Sequence, residues 1–276
     1  MQDQLVGRVT VITGAGSGIG RALALEASAR GARLALLDRD EAGLAATLAA
    51  LHGARGTGVA ADVHAWTCDV TDAARCSVVV EEVVARYGGL DVLVNNAGIS
   101  HHSLADATTI EVLHRVMDVN FHGAVHCTLA ALPSLRARRG VIVVMSSVAG
   151  FAPLYGRSAY AASKHALHGW FETLRSELDG TGVSVMLVCP SFVRTAIDQN
   201  ALSGDGGAAQ GDKPITGKAV APEAIARAVC DGISERRRQL VLTPVARLSW
   251  WVSRLSPALY ERLMLRNQAG GSGRER

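Results

Sequence analysis

Thr13-Gly14-Ala15-Gly16-Ser17-Gly18-Ile19-Gly20 joins an apolar run, Arg8–Thr13, to a helical pattern over Ile19–Arg30. Small residues here let the backbone approach a pyrophosphate, and the helix start beyond them presents unpaired amides to it. Gly14, Gly16, Ser17, Gly18, Ile19 and Gly20 are therefore candidate dinucleotide contacts. A second apolar run, Arg33–Asp38, ends in a carboxylate. Asp38 stands where an acid accepts both hydroxyls of a ribose. Glycine clusters alone often just make turns; a strand before, a helix after and an acid at the next strand end make this one specific. That acid would also sit against the extra phosphate of NADP, so NAD is the favoured cofactor. Arg39 could pair with such a phosphate, which keeps NADP open, while Ser17 supplies no second cation.

Working outward, the same alternation continues. Strand candidates follow at His64–Asp69, Leu90–Asn95, Val141–Ser146, Val183–Cys189 and Gln239–Thr243. Helical patterns fill most gaps, notably Thr108–Leu135, Ser158–Leu178 and Pro222–Arg236. Strands apolar on both faces, separated by helix-length segments, imply a parallel sheet covered on both sides. Right-handed crossovers then give an α/β, doubly wound, Rossmann-type sheet of about seven strands in a single domain, residues 1–245. Three stretches break the rhythm. Gly53–Asp62 reads as a long loop. Ser203–Gly217, rich in Gly and Asp, reads as a mobile loop within a substrate loop of about residues 191–220, and a lid is its functional version. Residues 246–268 form an amphipathic extension, and 269–276 a tail expected to be disordered.

Composition excludes several classes. In 276 residues the formal charge is +3, and no basic stripe of the kind nucleic acid needs is visible. Cys68, Cys76, Cys127, Cys189 and Cys230 are scattered without metal or disulfide spacing, so no metal is expected, and buried thiols in a reducing compartment are. No apolar signal segment or membrane span stands out, and a cytoplasmic location is the expectation.

The chain has four tyrosines and three lysines, yet Tyr160 and Lys164 fall four apart at a helix start. Chance would give about 0.04 such pairs, and this spacing puts both side chains on one helical face. A nearby ammonium favours the phenolate, as an acid/base for an alcohol or carbonyl oxygen requires. Ser147 follows the Val141–Ser146 run, and Asn95-Asn96-Ala97-Gly98 closes the preceding one. Ligands of doubly wound folds bind at such strand ends. Asn120 sits inside a helical stretch where Asn is a poor former, so a bulged helix supporting a polar site, or an exposed face, is expected there.

Together these residues resemble the classical short-chain dehydrogenase/reductase (SDR) family over residues 6 to 240. The likeness rests on Thr13, Gly14, Gly18 and Gly20, on Cys68-Asp69-Val70, on Asn95-Asn96-Ala97-Gly98, and on Asn120, Ser147 and Tyr160-x-x-x-Lys164. The resemblance implies an NAD(P)-dependent oxidoreductase that moves a hydride between a nicotinamide and a carbonyl or secondary alcohol. It implies Tyr160 as proton donor or acceptor and Ser147 as holder of the reacting oxygen. Lys164 would lower the Tyr160 pKa and bind the nicotinamide ribose, and Asn120 would anchor a relaying water. Asp69 and Val70 would contact adenine; Asn96, Ala97, Gly98, Pro190, Val193 and Thr195 would line the cofactor. Homodimers or homotetramers are implied as well. One departure stands out: where the family reads Pro-Gly, this chain has Pro190-Ser191, which alters the pocket wall.

Candidate pocket residues are Ser100, His101, Phe151, Leu154, Tyr155, Ser191 and Phe192, mostly apolar and suited to a lipophilic alcohol or ketone. His101 reads as lining the entrance. The Trp-rich extension admits three roles: closing the pocket, packing on a second subunit, or resting on a membrane. Its short apolar face and the near-neutral chain favour the first two. A catalytically silent cofactor sensor or scaffold on the same fold is the alternative, against which the complete Ser147, Tyr160, Lys164 and Asn120 set speaks.

Overall fold

The computed structural model describes residues 5–53, 62–191, 193, 200–209 and 220–271. Its strands are β1 (Val9–Thr13), β2 (Arg33–Asp38), β3 (Val63–Thr67), β4 (Val92–Asn95), β5 (Val141–Met145), β6 (Ser184–Cys189) and β7 (Gln239–Val241). They form one seven-stranded sheet in the order β3-β2-β1-β4-β5-β6-β7, parallel throughout. The order reverses between β1 and β4, which opens a crevice at the strands' carboxyl ends. β1 and β5 are buried along their whole length, as strands covered on both faces must be.

Helices α1 (Gly18–Ala29) and α2 (Glu41–Gly53) cover one face, together with a later helix over Pro222–Ser234. On the other face lie α3 (Ala73–Tyr87), α5 (Gly123–Arg138) and α6 (Ser158–Glu177), while α4 (Ile110–Met117) packs Val112 and Val116 against Ala159 of α6. The Pro222–Ser234 helix is α7. Local chemistry sets the ends. Asp72 accepts a hydrogen bond from the Arg75 amide at 2.9 Å to open α3, and Gly88, at φ +76°, closes it. Cys68, Cys76 and Cys127, distant in sequence, meet in the core, with sulfur separations of 3.9 and 3.7 Å. Contact with Cys127 and burial hold the Cys76 thiol up at about 12.

Several expectations shift on contact with the structure. The helix expected over Thr108–Leu135 is interrupted by a π-turn, Asp118–His122, centred on Asn120. The first part of the Ser203–Gly217 stretch is tied down by backbone rather than by apolar burial. Thr109 donates to the Gly204 carbonyl at 2.9 Å, and Ser203 to that of Gly207 at 2.9 Å. Residues 210–217 lie outside the described residues, as do 54–61 of the Gly53–Asp62 loop. The extension forms two helices, α8 (Pro244–Leu255) and α9 (Pro257–Gly271), the second running three residues into the tail expected to be disordered. Among the described residues no helix is long and apolar enough to cross a membrane.

Phe171 of α6 is fully buried in the core between that helix and the sheet. Phe171→Ala should cost about 3–5 kcal/mol, read as a lowered urea midpoint with an unchanged slope.

Candidate active site

The glycine loop owes its shape to crowding. Gly14 has φ +66°, and a Cβ on it would stand 2.9 Å from the Ala97 Cα. A Cβ on Gly20 would fall 2.0 Å from the Gly14 carbonyl oxygen, so α1 could not sit where it does with any side chain there. Ser17 caps α1 without a side-chain bond to its amides, which leaves them for another acceptor. The Gly16 amide donates to Asp38 Oδ2 at 2.8 Å, and the backbone amide of Asp40 donates to Oδ1 at 3.0 Å. Asp38 therefore braces the loop as well as facing the crevice. From behind, Arg21 donates to the Gly16 carbonyl and, at 3.0 Å, to the Thr47 hydroxyl.

The strand-end asparagine is a second brace. Asn96 Nδ2 donates to the carbonyls of Thr13 (2.9 Å) and Gly14 (3.2 Å), and Thr13 Oγ1 accepts from the Asn96 and Ala97 amides at 3.0 Å each. Asn96 lines the crevice, yet its amide is spent on holding the loop to β4.

Beyond β5, Ser147 accepts from the Ala149 amide at 3.2 Å. Tyr160 is half-buried on the first turn of α6, one turn before Lys164. The Lys164 ammonium is buried, donates to the Met145 carbonyl at 2.9 Å, and stands 5.5 Å from the centre of the Tyr160 ring. Burial pulls its pKa down to about 8. Asn120, also buried, ties two elements together. Its Oδ1 accepts from the Ile99 amide at 2.8 Å, and its Nδ2 donates to the Ile99 carbonyl (3.0 Å) and to Ser163 Oγ (2.9 Å). The π-turn is what turns this side chain inward, so the bulged-helix reading holds and the exposed-face reading does not.

One cleft of about 740 Å³ joins these groups. Gly14, Ser17, Gly18, Ile19, Asp38, Arg39, Asp69 and Val70 line one end; Asn96, Ala97, Gly98, Ser147, Tyr160 and Lys164 line its middle, with Pro190, Ser191, Val193 and Leu154. Gly16, Gly20 and Asn120 stand behind the wall and shape it. Phe151, expected at the substrate, does not line the cleft; its ring meets His168 edge-on at 6.3 Å. His101 is not at the entrance either. It is fully buried, its Nε2 3.0 Å from Thr108 Oγ1, and burial lowers its pKa; His102 lines the cleft in its stead. Phe192 and Thr195 lie outside the described residues.

The far wall comes from the extension: Val245, Leu248, Ser249, Val252, Tyr260, Leu263 and Met264. Its amphipathic pattern was readable, but nothing local said which side would face the cleft. Ser146 was missed too. It lines the cleft with its hydroxyl buried and without a hydrogen-bond partner.

A family model described as short chain dehydrogenase matches residues 8–205. The chain belongs to the short-chain dehydrogenase family. Family members include "Dehydrogenase/reductase SDR family member 7B" of Bos taurus, 35% identical over 259 residues, 93% of this chain and 80% of that one. "Putative oxidoreductase SadH" of Mycobacterium tuberculosis is 36% identical over 264 residues, 94% of each chain. Among solved structures, a short chain dehydrogenase/reductase from Burkholderia phymatum in complex with NAD superposes with a TM-score of 0.81, at 28% identity over 93% of this chain and 96% of that one. An alcohol dehydrogenase from the archaeon Thermococcus sibiricus complexed with 5-hydroxy-NADP gives 0.73, at 26% identity over 87% and 97%. This family of oxidoreductases thus includes neighbours holding nicotinamide dinucleotides, and the same crowded loop with open helix amides is present here.

The buried ammonium gives the short-chain dehydrogenase chain a pH signature. With its pKa lowered from 10.5 to about 8, Lys164 binds its proton less tightly folded than unfolded. Its contribution is therefore unfavourable below about 8 and recovers as pH climbs toward 10.5. The stability difference between the native chain and Lys164→Met, from urea melts across that window, should move in the native chain's favour by roughly 3 kcal/mol. A flat difference would contradict the burial argument.

Proposed function

We propose that this protein is an NAD-dependent oxidoreductase that interconverts a lipophilic ketone and its secondary alcohol, with Tyr160 as the acid/base. One observation carries the reading: Tyr160 and a buried Lys164 share a single cleft with the amide-rich glycine loop. When bound, the nicotinamide supplies or accepts the hydride. The glycine loop and the α1 amides would hold the pyrophosphate, Asp38 the adenosine ribose, and Asp69 and Val70 the adenine.

The chain's own groups then handle the proton. Ser147 Oγ would orient the substrate oxygen, and Tyr160 would give that oxygen its hydroxyl proton in reduction and, as the phenolate, take one from the alcohol in oxidation. Lys164 favours the phenolate electrostatically and would bind the nicotinamide ribose. Its bond to the Met145 carbonyl keeps the ammonium from swinging away. Asn120 has both amide protons engaged by Ile99 and Ser163, so a water relaying protons to Lys164 would rest on other acceptors of the π-turn, its backbone carbonyl foremost.

Two features support the choice of cofactor and substrate. Asp38 faces the cleft, and Arg21, the cation just behind the loop, is already spent on Gly16 and Thr47, which leaves Arg39 alone for a 2′-phosphate. Leu154, Tyr155, Leu202, Val245, Val252 and Met264 make the cleft wall away from the glycine loop largely apolar, with His102, Asn200 and Ser249 among the polar groups that also line the cleft, which suits a mainly apolar molecule. The Thermococcus neighbour's description as an alcohol dehydrogenase agrees with the reaction class.

Assays with NADH and a panel of hydrophobic ketones test the reading. Tyr160→Phe should lower kcat by about a hundredfold or more while the NADH-induced thermal shift stays at its native size. Full turnover by Tyr160→Phe would overturn the assignment. Asp38→Ser should weaken NADH binding by about tenfold and bring NADPH level with it in the same thermal-shift titration.

A further inference from the structure

We propose that the outer ridge of α8 and α9 seats the protein on a bilayer bearing anionic headgroups, and that substrate enters the cleft from that surface. The route of entry rests on the cleft being a lipophilic substrate site; the docking itself does not.

The ridge is where the chain's exposed apolar surface collects. Among the described residues thirteen large hydrophobic side chains are exposed, and seven of them fall between Val245 and Leu265. Scattered exposed leucines need no explanation, but a contiguous set marks an interaction surface. Leu248, Trp251 and Leu255 succeed one another at helical spacing along α8, and are 64%, 58% and 78% exposed. Leu259 and Leu263 continue the ridge on α9.

Charge decides between the occupants. Arg247, Arg254, Arg262 and Arg266 are exposed on the same two helices, where Glu261 is the single carboxylate. Arg254 lies over the Trp250 ring at 4.2 Å, which holds its guanidinium beside the apolar surface. A second copy of this chain would bring four arginines against four arginines across a twofold axis, a juxtaposition of like charges. A bilayer with anionic lipid takes both halves of the ridge. Leucines and the tryptophan enter the acyl boundary, and arginines remain at the phosphates. With no described helix long and apolar enough to cross, the association is one of lying on the surface.

The ridge is also continuous with the cleft. Val245, Leu248 and Leu263 line the cleft wall and also belong to the exposed apolar set, so that set reaches the rim of the cleft. An apolar molecule leaving the acyl layer would pass from lipid to Leu248 and Leu263 without crossing water.

Flotation with vesicles tests the docking without any turnover, so its outcome stands apart from the ketone assay. The 276-residue chain should float with phosphatidylcholine vesicles containing phosphatidylglycerol about tenfold more than with phosphatidylcholine alone, and salt should reverse the gain. Trp251→Ser with Leu255→Ser should reduce flotation about tenfold. Arg262→Gln with Arg266→Gln should abolish the preference for phosphatidylglycerol. Absence of flotation, or indifference of the native chain to the anionic lipid and to salt, overturns the proposal. So does a dimer, seen by sedimentation, that the Trp251 and Leu255 changes dissolve, since the ridge then belongs to a second copy.

Discussion

The structure depends on one close approach, the first turn of α1 lying on the carbonyl of Gly14. Only a residue without a Cβ fits at position 20, and only that fit lets the helix point its open amides into the crevice between β1 and β4. The surrounding polar groups make the approach rigid rather than merely permitted. Asn96 and Thr13 stitch the loop to β4, while Asp38, Arg21 and Thr47 hold it from the β2 side. The loop that would cradle a dinucleotide is thus fastened to both neighbouring strands, so its geometry comes from the sheet and not from the ligand. Preorganisation of this kind lowers what binding must spend on ordering.

A second constraint runs through the opposite wall. A buried ammonium costs much unless it is hydrogen-bonded, and Lys164 has the Met145 carbonyl as its partner. Its lowered pKa is the residue of that cost. The π-turn at Asn120 is a comparable expense, a helix irregularity kept because it turns a polar side chain inward to join the Ile99 backbone to α6. Both features fix the two helices that flank the Tyr160 ring. Rigid support is what would hold a reacting group in position, and here it comes from the bonds of Asn120 to the Ile99 backbone and the Ser163 hydroxyl and of Lys164 to the Met145 carbonyl.

The matched family model ends at residue 205, and the α8–α9 pair lies beyond it, after β7. The pair closes the cleft with apolar side chains and carries exposed leucines and Trp251 beside its arginines. Leu248 and Leu263 belong both to the cleft lining and to the exposed apolar set.

Much of the frame was legible without coordinates because it is written in local, periodic terms. Alternation of doubly apolar strands with helices specifies a parallel, doubly wound sheet, and the observed strand ends fall within about two residues of those read from the pattern. Tyr160 and Lys164 were readable because helical spacing alone puts them on one face, and Asn120 because it contradicts its helix. Other outcomes needed the chain folded back on itself. That Asn96 braces the loop, that Phe151 meets His168 instead of the cleft, that His101 is buried beside Leu202, and that three cysteines converge all depend on contacts between segments apart in sequence. Periodicity tells which side of an element is apolar. It carries no information on which of two apolar surroundings, core or cleft, that side will meet, and only the tertiary packing decided it.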